Sequence, residues 1–192
     1  MDLRLENLGI QHMADFLDWG YFEDPLLAMY NFQEEAQGLE DWYRWKTRRP
    51  WDRYQAILLG QRAIGYVGLK NFNPLTRRGE LGIILDPNYV DQGYGTWALR
   101  LFLREAFLEG RARQVYLLVL PWNARAIHVY KKLGFKEEGT HWTGVFFPLR
   151  DRLEEALVPY EKSLRRLGAL SYVKAIRMHV EREDMEEGFF EL

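Results

Sequence analysis

The chain has 192 residues, with 26 Lys and Arg against 28 Asp and Glu, a length that suits one domain with a sizeable core and a charge balance that offers no electrostatic basis for binding nucleic acid or an anionic membrane. Cysteine is absent, which excludes disulfides, thiolate metal sites and a cysteine nucleophile together. The opening Met1-Asp2-Leu3-Arg4-Leu5-Glu6 lacks the apolar centre of a signal peptide and no apolar run approaches membrane-spanning length, so the expectation is a single cytoplasmic domain over residues 1–192.

Leu3 and Leu5 alternate with polar residues as in a short strand, and Met13, Phe16 and Leu17 fall at helical spacing within a helix expected over residues 10–19. Residues 21–31 contain Asp24-Pro25 and many aromatics, which predicts a bent helix or loop, and residues 39–46 read as another helix. Aromatics are dense here: Trp19, Tyr21, Phe22, Tyr30, Phe32, Trp42, Tyr43, Trp45 and Trp51. Most should be core, with a few left to line a pocket. Residues 54–59 and 63–69 are strand-like runs around Gly60-Gln61, a hairpin signal, and residues 80–85 continue the antiparallel set after a turn.

The apolar run ending at Leu85 leads through Asp86-Pro87-Asn88 to Gly93-Tyr94-Gly95-Thr96, which opens a helical pattern. A glycine-rich turn at a helix start leaves backbone N–H groups unpaired at the positive end of the helix dipole, which suits a phosphate or pyrophosphate. Gly93, Gly95 and Ala98 also fit the Gly-x-Gly-x-x-Ala form of a dinucleotide fingerprint. That fingerprint wants an acid at the end of the next strand, whereas this one closes on Leu120-Pro121-Trp122, and NAD is discounted. Leu99, Phe102, Leu103, Ala106 and Phe107 share one helical face, with Gly110 as the expected stop; residues 115–120 read as a buried central strand. Ala126, Val129, Tyr130 and Leu133 follow at helical spacing, which puts Tyr130 on a core-facing stripe. In residues 148–168, Leu153, Leu157, Tyr160, Leu164 and Leu167 form a helical stripe interrupted by Pro159, expected to pack on the domain or on a second copy as a homodimer. Residues 171–180 then form a last strand.

The run from Pro121-Trp122-Asn123 through Tyr130-Lys131-Lys132-Leu133-Gly134-Phe135, together with Gln92-Gly93-Tyr94-Gly95-Thr96, resembles the two cofactor motifs of the GCN5-related N-acetyltransferases, in order and spacing. Glu23-Asp24-Pro25 and the glycine loop resemble the branch containing the ribosomal-protein N-terminal acetyltransferases. Val90, Trp97 and Ala126 depart from the residues usual there. The resemblance implies an α/β (α+β) fold with a single mixed, mostly antiparallel sheet of six to seven strands flanked by helices, here with a helical segment inserted before the last strand. It implies acetyl-CoA as co-substrate, no metal, and a primary amine as acceptor, either a protein N-terminus or a small amine such as a polyamine, aminoglycoside or amino acid. A non-catalytic acyl-CoA-binding protein is the remaining alternative.

The resemblance also assigns site residues. Ile83, Ile84 and Leu85 would offer backbone groups to the pantetheine arm. Gln92, Gly93, Tyr94, Gly95, Thr96, Asn123 and Arg125 would hold the rest of the cofactor. Tyr130 would protonate the leaving thiolate, and Glu80 would help deprotonate the amine, with His141 a weaker base. Ser163 and Ser171 sit in no nucleophile turn, so direct attack in a ternary complex is expected over an acyl-enzyme.

Overall fold

The computed structural model describes residues 2–108, 112–147, 152–168 and 170–185. Eight strands form one sheet: β1 (Leu3–Asn7), β2 (Arg53–Leu59), β3 (Arg62–Asn73), β4 (Arg78–Leu85), β5 (Gln114–Val119), β6 (Lys136–Val145), β7 (Leu164–Leu167) and β8 (Leu170–Glu181). Their order is β1-β2-β3-β4-β5-β8-β6, with β7 paired to β8. Every pairing is antiparallel except β4 with β5, and that one is short: Arg78, Gly79 and Glu80 pair with Gln114, Val115 and Tyr116. Beyond Glu80, β4 stays paired to β3 while β5 stays paired to β8, so the two halves of the sheet splay apart.

Helices α1 (Met13–Leu17), α2 (Leu39–Thr47), α3 (Tyr94–Leu108), α4 (Ala124–Lys132) and α5 (Leu153–Leu157) flank the sheet. On one face, α3 sinks Leu99, Phe102, Leu103 and Phe107 against Ile57, Ile64, Val67 and Val115, and Tyr130 and Leu133 join that cluster. Fully burying a side chain such as Phe102 or Phe107 is worth about 1.5–3 kcal/mol over leaving it exposed, so α3 is firmly anchored and the turn before it is held in place. On the other face, Met13, Phe16 and Trp19 pack with Ala56, Leu58, Ala63 and Tyr66, joined by Trp42 and Tyr43 of α2. Strand β3 is therefore covered on both sides, which explains its long apolar run. The stop expected at Gly110 lies outside the described residues.

Residues 148–168 differ from the helical reading. The α-helix runs only from Leu153 to Leu157, a 3₁₀ segment carries Pro159, and Leu164–Leu167 is strand β7. Proline lacks the N–H an α-helix needs and clashes with the preceding turn, so the stripe cannot continue. Gly168, at φ +60°, then turns the chain into β8. Because residues 171–173 of β8 pair with both β6 and β7, β7 occupies the edge of β8 that β5 leaves free. The stripe is covered from within the chain: Leu153 and Leu157 are buried with Leu120, Trp122, Val173 and Ala175, and Leu26, Leu27, Tyr30, Tyr160 and Leu164 pack around them. Leu167 alone of the five points to solvent.

Candidate functional site

The splay between β4 and β5 opens into a cleft of about 370 Å³. Its floor is residues 80–85 of β4, its far wall is Leu118 and Val119 of β5, and it runs from the glycine turn past Tyr130 to a group of aromatic and charged side chains under α2. Gly82 faces open space, with no atom within 4 Å of where a Cβ would stand, so a side chain there would fill the groove.

The turn after β4 is tied down by Asp86, which is fully buried and whose Oδ1 accepts from Asn88 N at 2.9 Å and from Gly20 N at 3.0 Å. Asp91 and Gly93 take positive φ, 59° and 85°, which turns the chain into α3, and the space beside Gly93 is also open. The first helical hydrogen bond runs from Trp97 N to Gly93 O at 3.1 Å. The four amides before it, residues 93–96, have no partner within the helix and lie at its positive end. Arg125, on α4, meets Asp91 at 3.2 Å and stacks 5.3 Å from the Phe22 ring centroid, joining the two loops at the cleft mouth. An open glycine, unpaired amides and a guanidinium form a donor set that fits a pyrophosphate.

Asn123 caps α4, accepting from Ala126 N at 3.2 Å, and lines the cleft beside Tyr30. Tyr130, two turns into α4, is buried against Phe135 and lines the cleft. Burial, and then the neighbouring Tyr30, push its phenol above the ordinary range, so it keeps its proton at neutral pH.

At the opposite end, Glu80 lies where β4 and β5 begin to part. Its Oε1 meets Lys70 Nζ at 2.9 Å and its Oε2 accepts from Asn71 Nδ2 at 3.1 Å. Both oxygens are engaged, so taking a proton requires releasing one contact or working through a water. Tyr54 lies flat over Gly68, where a Cβ would come within 2.2 Å of its ring. Burial, then Asp52 and Glu80, push the Tyr54 phenol up to about 12. Beside it, the Lys46 ammonium stands 4.9 Å from the Tyr66 ring centroid, 5.0 Å from Tyr54, 5.4 Å from Trp42 and 5.7 Å from Trp45. Burial, then the charge of Lys70, lowers Lys46 to about 8.

The structure brings together Glu80, Ile83, Ile84, Leu85, Gly93, Gly95, Thr96, Asn123, Arg125 and Tyr130 on this cleft. Two of the expected cofactor residues, Gln92 and Tyr94, turn their side chains away from its lining. Gln92 Nε2 donates to Asn88 O at 2.9 Å, so its side chain serves the turn, and the Tyr94 ring packs toward the core beside Tyr89 at 6.1 Å. His141 is exposed on β6, away from the cleft. Of the aromatics, Phe22 and Tyr30 line the cleft, Trp19 and Phe32 belong to the core under α2, and Tyr21, Trp45 and Trp51 are largely exposed. Sequence reasoning missed Lys46, Tyr54, Tyr66 and Lys70. The available signal was the alternation on β3, where Tyr66, Gly68 and Lys70 share one face, and the i, i+4 spacing of Trp42 and Lys46. Among the described residues no group of three His, Asp or Glu is placed to hold a metal, and no helix is long and apolar enough to cross a membrane.

The sequence profile of the "Acetyltransferase (GNAT) domain" family matches residues 2–136, and the chain belongs to this acetyltransferase family. Spermidine N(1)-acetyltransferase of Escherichia coli K12 is 40% identical over 80 residues, a match spanning 42% of this chain and 42% of that protein. A Bacillus subtilis protein named "Putative ribosomal N-acetyltransferase YdaF" is 27% identical over 152 residues, covering 74% of this chain and 76% of that protein. The fold is similar to the crystal structure of spermidine N-acetyltransferase from Vibrio cholerae in complex with CoA and spermine, with a TM-score of 0.71, 21% identity, and coverage of 95% of this chain and 97% of that one.

Proposed function

We propose that the chain transfers an acetyl group from acetyl-CoA to the primary amine of a small molecule, by direct attack with both substrates in the cleft. The observation that carries this reading is a single groove that joins the pyrophosphate-suited turn at residues 93–96 to Tyr130 and then to the charged group around Glu80. Resemblance to the ribosomal-protein branch favours a protein N-terminus. The named spermidine acetyltransferases among the relatives favour a small amine, and that is the reading adopted.

Acetyl-CoA supplies the activated thioester. The amides of residues 93–96 and Arg125 hold the pyrophosphate, and the edge of β4 that β5 leaves free at residues 83–85 offers main-chain groups along the pantetheine arm. Glu80 receives the proton of the acceptor's ammonium, directly or through a water. The amine lone pair then forms the new C–N bond as the C–S bond breaks; Tyr130, which holds its proton at neutral pH, gives it to the departing sulfur and is restored by the second proton, shed by the newly acylated nitrogen. Retention of Tyr130 on the cleft argues for catalysis over simple acyl-CoA binding.

The test is thiol release from acetyl-CoA with a panel of small amines and of peptides with free N-termini. Turnover of small amines with kcat/KM well above that of every peptide is the expected result. Preference for peptides would restore the protein N-terminus as acceptor, and the absence of thiol release with every amine and peptide tried would leave the binding-protein alternative.

A further inference from the structure

The acceptor end of the cleft carries a cation of the chain's own. Three cations and two carboxylates line the cleft: Lys46, Lys70 and Arg125 against Glu80 and Asp91. Lys70 is neutralised by Glu80 at 2.9 Å and Arg125 by Asp91 at 3.2 Å. Lys46 has no carboxylate partner among the described residues; its neighbours are the faces of Tyr66, Tyr54, Trp42 and Trp45. Aromatic faces of this kind attract a cation, and a cationic acceptor could use them to hold a second ammonium. Here Lys46 already fills that position. A polycation would bring its remaining charges against an ammonium in a poorly solvated site, where like charges repel more strongly than in water. An anion in the same place would give Lys46 the counter-ion it lacks.

Resting on the acetyltransferase reading above, we infer that the acceptor is a small amine that also bears a carboxylate, and that Lys46 binds this carboxylate and sets the specificity. Recognition works by charge at the end of the acceptor remote from the acetylated nitrogen, with the aromatic ring faces holding the Lys46 ammonium in position. The preference therefore runs against the polycations named for the relatives.

The test uses ω-amino carboxylates of increasing chain length, each beside its own primary amide, with spermidine as the polycation. Calorimetric binding to the CoA-loaded protein and steady-state thiol release are read for the parent and for Lys46→Gln. For at least one chain length the acid should bind roughly 10- to 100-fold more tightly than its amide, as a charge-assisted contact implies, and the difference should appear in KM. In Lys46→Gln the acid-to-amide ratio should fall to about one. Amides or spermidine bound and turned over as well as every acid would overturn the inference while leaving acetyl transfer standing. Acids bound selectively through Lys46 with no thiol released would retain the carboxylate site and overturn the acetyltransferase reading instead. The acid-to-amide contrast in the parent protein needs no variant, so a Lys46→Gln protein that fails to fold leaves the test intact.

Discussion

The cofactor end of the cleft is made mostly of backbone, whereas the acceptor end is made of side chains. At the first, a strand edge that has lost its partner, an open glycine at φ +85° and four helix-start amides come from one stretch, residues 81–96. At the second, Lys46 comes from α2, Tyr54 from β2, Tyr66 and Lys70 from β3 and Glu80 from β4. A backbone site depends on local chain geometry and tolerates changes in most neighbouring side chains. A side-chain site assembled from four elements can change its ligand with one substitution while the sheet stays the same. One end of the groove is thus suited to a constant ligand and the other to a variable one, and Tyr130 stands where they meet.

This contrast can be broken at several points. Tyr130→Phe removes one hydroxyl and keeps the ring packing, so turnover should fall about 100- to 10,000-fold while the melting temperature and acetyl-CoA affinity stay close to the parent's. A core-only tyrosine would show near-normal turnover instead. Gly95→Asp adds a Cβ that would come within 2.9 Å of the Leu85 side chain, and sets a negative charge against the pyrophosphate. Acetyl-CoA affinity measured by calorimetry should drop on the order of 100-fold; unchanged affinity would place the cradle elsewhere. Glu80→Gln should cut turnover about 100-fold with acetyl-CoA affinity kept, whereas unchanged turnover would remove Glu80 from the reaction.

The smallest effect concerns stability. Lys46 is lowered from 10.5 to about 8 in the folded chain, so between those values the unfolded chain binds more protons than the folded one. Where the unfolded state binds more protons, stability rises with pH. The cost of holding Lys46 charged is therefore fully present below about 8 and relieved as the pH climbs toward 10.5. Melting curves should show a rise over that window that Lys46→Met lacks. Parallel curves for the two proteins would mean the ammonium is well solvated.

The same contrast explains what could be read in advance. The cofactor end was legible because Gly93-Tyr94-Gly95-Thr96 and the Asn123 to Tyr130 spacing are local patterns that state their own geometry. The hairpin at Gly60 and the stripe of α3 were legible for the same reason. Lys46 was not, because nothing in residues 39–47 tells that their lysine meets Tyr54 and Tyr66 across a sheet register set by Tyr54 opposite Gly68 and Ala56 opposite Tyr66. Strand β7 was hidden because Leu164 and Leu167 fit a helical period, and only pairing with β8 makes them extended. The aim of the Gln92 and Tyr94 side chains was not legible either: the turn points both away from the cleft, while the Tyr94 amide stays among the helix-start donors.

In the proposed reaction both ends of the cleft are occupied at once and the acetyl group passes directly between them. Initial rates of thiol release, with acetyl-CoA and an accepted amine varied against each other, test this most directly. A ternary complex predicts double-reciprocal lines that intersect, together with no thiol burst when the amine is withheld. Parallel lines and a burst matching the enzyme concentration would reveal an acetylated enzyme and contradict the account.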